Sequence, residues 1–221
     1  MEVNLPGNSM PRQPYLPTFA HLTYSVGANV LSNRPDLAEA IGQCVALWGS
    51  ADNEMGFMFG NLLGTDSEAA LEIFLSLRRS TNQLDALATA AKHKLSDDED
   101  TIFQVLKQLY SSLEKERNAL AHGIYGVCDE QRDILFWIDV KDHVTFMADV
   151  VPRLNRGDAI DDPHARLKSK MFVWRLAELQ ELRKTMVDFI RGAAAFNTHL
   201  RERKSNSWTT NLEVLLSIRN R

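Results

Sequence analysis

The sequence predicts a mainly α protein: an antiparallel four-helix up-and-down bundle with a small β-hairpin appendage. Three observations lead there. Apolar residues recur at helical spacing along four long stretches of the 221-residue chain. Short connections between the first three stretches place consecutive helices antiparallel. One segment instead pairs Ile124-Tyr125-Gly126-Val127 with Ile134-Leu135-Phe136-Trp137-Ile138 across a polar turn, the pattern of a hairpin over about 124–140.

The elements follow in order. Five of the seven prolines fall within residues 1–35. Proline lacks the N–H that helix interiors and ladders need, so this segment reads as an extended N-terminal arm. Residues 36–221 read as a single helical domain. Its first helix, Asp36 to Leu63, places Leu37, Ile41, Cys44, Trp48, Met55, Phe59 and Leu62 on one face. A second, from Ser67 to about Leu95, does the same with Leu71, Phe74, Leu75, Leu84, Leu87 and Ala91. A third opens at Ser96-Asp97-Asp98-Glu99, whose negative charges suit a helix N-terminus. It continues through Ile102, Leu106, Leu109, Leu113 and Leu120 and stops at Gly123, a residue suited to the left-handed position after a helix. Residues 141–163, with Pro152, Gly157 and Pro163, read as a loop. Helical spacing returns over about 164–203 with Phe172, Leu176, Leu179, Leu182, Met186, Phe189 and Ile190, and a short last helix is expected over Asn211 to Arg219.

Composition narrows the classes of function. At 44% hydrophobic and 24% charged residues, the chain has ordinary globular composition and is not disordered as its main state. No apolar stretch approaches the roughly 18–20 residues of a membrane helix, and the first residues lack the pattern of a secretory leader. Cys44 and Cys128 form no paired motif and read as buried thiols, so a cytoplasmic location is expected. The net charge of −4 hides an asymmetry: residues 1–163 carry 13 basic and 24 acidic side chains, and residues 164–221 carry 12 and 5. A basic C-terminal part can contact nucleic acid or pair with the acidic body of its own chain.

Phosphate-binding glycine loops, zinc-protease and serine-hydrolase motifs are all missing from the sequence. The six histidines show no metal-ligand spacing, so neither a metal nor a cofactor is implied. One segment does carry chemistry: Glu116-Arg117-Asn118-Ala119-Leu120-Ala121-His122-Gly123, at the end of the third helix. At about 100° per residue from Ile102, Arg117 lies near 60°, at the edge of the apolar stripe. Asn118 and His122 fall near 160° and 200°, one turn apart and pointing away from the core, on a strip that also holds Gln104, Lys107, Ser111 and Lys115. A structural reading stands beside this one. A terminal histidine complements the helix dipole, and Arg117 suits an acidic neighbour such as Asp52 or Glu54.

The string Arg117-Asn118-x-x-x-His122 resembles the motif of the HEPN superfamily, in which four to six residues separate an arginine from a histidine near the end of the third helix of a four-helix bundle. Here the spacing is four, with a polar residue directly after the arginine. The Trp48-bearing first helix is similar to that of a bacterial subset of the superfamily. The resemblance implies a metal-independent endoribonuclease acting as a homodimer on RNA. Its products would carry 2′,3′-cyclic phosphate ends, and its role would be that of a toxin or anti-phage effector held by an antitoxin or other regulatory protein. It assigns His122 to proton transfer, Arg117 to the developing phosphoryl charge and Asn118 to orientation. Lys115 would add attraction to phosphate and Tyr125, with Trp137, would stack on bases; the structural alternatives are a solvated lysine and core packing of the two rings. The alternative is a non-catalytic helical module that binds protein or nucleotide and keeps the motif as a dimer interface.

Overall fold

A computed structural model describes residues 13–14, 22–65, 67–159 and 165–203. The described chain is mainly helical with a small antiparallel sheet. The helices are α1 (Pro35–Leu63), α2 (Ser67–Ser76), α3 (Ser80–Lys92), α4 (Asp97–His122), α5 (Val140–Asn155), α6 (Ala165–Lys168) and α7 (Leu176–Glu202). The strands are β1 (Gln13–Pro14), β2 (Tyr24–Val26), β3 (Gly123–Cys128), β4 (Ile134–Asp139) and β5 (Met171–Arg175), in the spatial order β1-β5-β4-β3-β2. A short 3-10 helix, Val30–Asn33, leads into α1. None of the helices among the described residues is long and apolar enough to cross a membrane.

The chain divides into two compact units. In the first, built by residues 46–115 with 184–203 among those described, aromatic rings fill the interior. Tyr110 lies 4.7 Å from Trp48 and 6.0 Å from Phe189, centroid to centroid, and its hydroxyl donates to Asp52 at 2.6 Å. Asn197 donates to the Glu54 carboxylate at 2.8 Å and to its backbone carbonyl at 2.9 Å, which ties α7 to α1. At the start of α4, Ser96 and Glu99 form a reciprocal capping box: the Ser96 amide donates to Glu99 Oε2 at 2.8 Å, and the Glu99 amide donates back to Ser96 Oγ at 3.4 Å.

The second unit holds the sheet. Because successive side chains on a strand alternate faces, its two faces differ in content. Ile134, Phe136, Ile138, Met171 and Val173 pack with Leu22, Leu167 and, from α5, Phe146. On the other face Tyr125 stands directly opposite Trp137, which in turn stands opposite Phe172.

Four expectations change here. The stretch from Ser67 to Leu95 is two helices, because side chains satisfy carbonyls at the end of α2: Ser76 Oγ donates to Ile73 at 2.7 Å and Gln83 Nε2 donates to Phe74 at 3.2 Å. The expected loop over 141–163 is largely the helix α5. Asp139 caps its start by accepting from the Lys141 amide at 2.8 Å, and the helix runs through Pro152. Its end is a Schellman turn, with Gly157 at φ 78°, the Gly157 amide on Leu154 at 3.0 Å and the Asp158 amide on Arg153 at 3.0 Å. The long helix expected from 164 is preceded by a strand, since Met171–Arg175 pairs with β4 along one edge and with β1 along the other, and Met171, Val173 and Trp174 are buried. Finally, the hairpin is no appendage. It lies inside the sheet between β5 and β2; residues 24–26 of the N-terminal arm pair with β3, and residues 13–14 pair with β5 at the opposite edge. The helix expected over Asn211 to Arg219 lies outside the described residues.

Candidate functional site

The last two turns of α4 carry Arg117, Asn118 and His122, and the helix ends at His122 itself. The buried side of α4 comprises Ile102, Phe103, Leu106, Tyr110, Glu116, Leu113 and Leu120, with Leu109 half-buried. Phe103 and Tyr110 widen this stripe toward Arg117, which follows Tyr110 at a seven-residue interval. Its side chain is half-buried, in keeping with a place at the edge of the stripe. A guanidinium at such an edge keeps its stem among apolar neighbours and needs polar surroundings for its head, because isolated burial of the charge is costly.

Asn118 is half-buried and His122 is exposed. Lying four residues apart on one helix, they have β-carbons on the order of 5–6 Å apart. The structure therefore brings an amide and an imidazole to one outward strip, with the guanidinium one position earlier and toward the core. Lys115 is exposed. Asp52 and Glu54, considered above as neighbours for Arg117, accept from Tyr110 and Asn197 respectively.

The helix end is held by the hairpin. The last four carbonyls of an α-helix have no intrahelical donor. Here the Trp137 indole N–H donates to the Ala119 carbonyl at 2.8 Å, and the Tyr125 hydroxyl donates to the Leu120 carbonyl. Trp137 is buried and Tyr125 is half-buried. Burial, reinforced by the neighbouring Cys44, pushes the Tyr125 phenol up to about 12, so it keeps its proton and remains a donor. This side chain, one of two expected to stack on RNA, thus has its hydroxyl engaged inside the fold. Burial also raises the Cys44 thiol to about 11 against the opposing influence of Arg183, and Cys44 Sγ donates to the Leu179 carbonyl at 3.6 Å.

Gly123 plays a different part from the expected one. It is the first residue of β3 and does not adopt the left-handed conformation that ends a helix. A β-carbon at this position would overlap the Trp137 indole at Nε1, Cδ1 and Cε2. Glycine is there because the indole passes directly over the backbone. Sequence reasoning missed this arrangement. The available signal was a glycine at a strand start facing an aromatic run, which marks close approach as readily as it marks a helix stop.

Some of the C-terminal basic charge is engaged within its own unit. Arg203 pairs with Glu99 through Nε at 3.0 Å and donates to the Lys94 carbonyl at 2.9 Å, while the buried His199 contacts Glu99 Oε1 at 2.8 Å. Arg183 donates to Gln43 at 2.9 Å. Among the described residues, no group of three or more histidine, cysteine, aspartate or glutamate side chains is arranged to hold a metal ion. Comparisons of the chain with protein-family models, with curated proteins and with solved structures find no match.

Proposed function

We propose that the protein is a metal-independent endoribonuclease of the HEPN type, working as a homodimer that sets two copies of the α4 end against one RNA. One observation supports this reading above the others: Arg117, Asn118 and His122 occupy the final two turns of a long helix, with the imidazole exposed and the arginine half-buried at the edge of the apolar stripe. In this reading α1, α3, α4 and α7 are the four helices of the bundle, and Trp48 on α1 is the buried tryptophan of its first helix. His122 moves the proton between the ribose 2′-OH and the leaving oxygen. Arg117 meets the phosphoryl charge with its planar fork, and Asn118 orients the phosphate or the imidazole. Lys115 adds attraction to the RNA backbone. A toxin or anti-phage role, restrained by an antitoxin or regulatory protein in the cytoplasm, belongs to the same proposal.

The test is incubation of the full chain with total and structured RNA in EDTA, beside His122→Ala and Arg117→Ala. Cleavage that leaves 2′,3′-cyclic phosphate ends and is lost in both variants supports the proposal. No cleavage, or equal cleavage by the variants, refutes it. His122 is exposed, so its truncation should change stability by no more than about 0.5 kcal/mol, which separates lost chemistry from lost fold.

A second reading has its own observation. Along α5, Val140, Val144, Met147 and Leu154 are 43%, 58%, 43% and 52% exposed and fall on one side of the helix. An exposed apolar stripe suits a binding module. In that reading the motif serves as an interface, and the RNA assay stays blank.

A further inference from the structure

We infer that Trp137 and Tyr125 are positioning residues for His122, holding the last turn of α4 so that an exposed imidazole is carried on a backbone that does not fray. Helix ends ordinarily fray, since their final carbonyls lack internal donors. At this end two consecutive carbonyls, those of Ala119 and Leu120, receive side-chain donors from outside the helix. The donors stand on directly opposed positions of β3 and β4, so one strand pair delivers both. Both groups are suited to capping carbonyls, because an indole N–H can only donate and the buried phenol keeps its proton. Trp137 is itself backed by Phe172, 5.8 Å away between ring centroids on the adjacent strand.

His122 is thereby fixed from both sides. Before it, the α4 turn is capped twice. After it, no loop intervenes: Gly123 begins β3 and pairs with Asp139. The lack of a β-carbon at Gly123 is what lets the indole reach Ala119 across the junction. Only the side-chain torsions of His122 remain free, which is the preorganisation that proton transfer to a bound substrate requires. The kinetic half of this inference rests on the ribonuclease reading; the conformational half does not.

The test uses the full chain with Trp137→Phe and Tyr125→Phe, each of which removes a donor and keeps a ring. NMR relaxation of the ring carbon between the nitrogens of His122 is compared with that of exposed His93, which lies at the end of α3. The expected result is larger-amplitude motion of His122 in both variants with His93 unchanged. On RNA, kcat should fall about 10- to 100-fold with KM changed by less than about twofold. Residues that merely pack would lower the melting temperature and leave both readouts alone. His122 relaxation equal to wild type in both variants overturns the inference. If Trp137→Phe fails to fold, Tyr125→Phe carries the same comparison, since it deletes one oxygen. If the wild type cleaves no RNA, the ribonuclease reading falls and the relaxation measurement still decides the positioning role.

Discussion

Replacing Gly123 by alanine should be among the most damaging single-methyl additions in this protein, and the structure indicates why. The new β-carbon would overlap three atoms of the Trp137 indole. That ring is 5% exposed, so it has no open space into which to swing. Moving it breaks the 2.8 Å bond from its N–H to the Ala119 carbonyl. Overpacking of a filled interior costs about 1–3 kcal/mol, and stranding a buried donor and acceptor about 1–3 more. Against this, alanine loses less backbone entropy than glycine, a gain of about 0.5–1 kcal/mol. The net destabilisation is about 1–5.5 kcal/mol, or roughly 2–20 °C in melting temperature for a chain of this size. Urea unfolding followed by far-UV circular dichroism would measure it. The decisive comparison is a cycle with Trp137→Ala. Once the indole is gone, the same glycine-to-alanine change should be neutral, or stabilising by up to about 1 kcal/mol. An equal cost in both backgrounds, or a cost under about 0.5 kcal/mol in the wild type, would refute the close-approach account of Gly123.

Three further outcomes are expected. Gly157→Ala should destabilise by about 1 kcal/mol in the same urea assay, because φ at this position is 78° and the Schellman turn ending α5 needs it. Tyr110→Phe should cost about 1–2 kcal/mol, since it deletes the hydroxyl that donates to Asp52 at 2.6 Å while leaving the ring contacts with Trp48 and Phe189 in place. Glu99 provides a pH signature. Burial raises its carboxyl, but hydrogen bonds from Ser96 and His199 and the charge of Arg203 together hold it below the usual range. A carboxyl depressed in the folded state stabilises above its ordinary value and loses that contribution as pH falls through its folded value. Urea midpoints of wild type and Glu99→Gln should therefore differ most near neutral pH and converge in acid; a constant gap would contradict this.

The parts of the fold that can be read from the sequence are those in which one physical rule acts alone. The apolar side of α1 is an uninterrupted stripe, and all seven residues assigned to it, from Leu37 to Leu62, are buried. The acidic residues opening α4 and its end at His122 follow from dipole and periodicity together. Sequence and structure part where two rules compete. Pro152 and Gly157 look like loop punctuation, yet α5 runs through the proline, forgoing the one backbone bond its missing N–H cannot make, and the glycine lies just beyond the helix end. Met171-Phe172-Val173-Trp174 merges into the periodicity of the helix that follows, and only a partner strand, invisible in a local window, reveals it as β5. Phe74 and Leu84 belong to one apolar pattern interrupted by a turn whose carbonyls are satisfied by Ser76 and Gln83, contacts that spacing does not encode.

For the candidate site, legibility divides between position and support. That Asn118 and His122 share an outward strip follows from a helical wheel, and their half-buried and exposed states agree with it. The wheel sets Arg117 at the edge of the stripe, and its half-buried state agrees; Phe103 and Tyr110 only widen the stripe toward it. A half-buried arginine lays its stem along apolar surface and keeps a planar fork that a lysine does not have. The support for the motif cannot be read at all, since Ala119 and Leu120 offer only backbone carbonyls and their donors lie 18 and 5 residues away, on two strands. A short motif names the groups that do chemistry, whereas the groups that hold them still are specified by tertiary register. Arg117→Lys therefore distinguishes the two functional readings: an interface needing only positive charge should tolerate lysine, and a site needing a planar fork against phosphate should not.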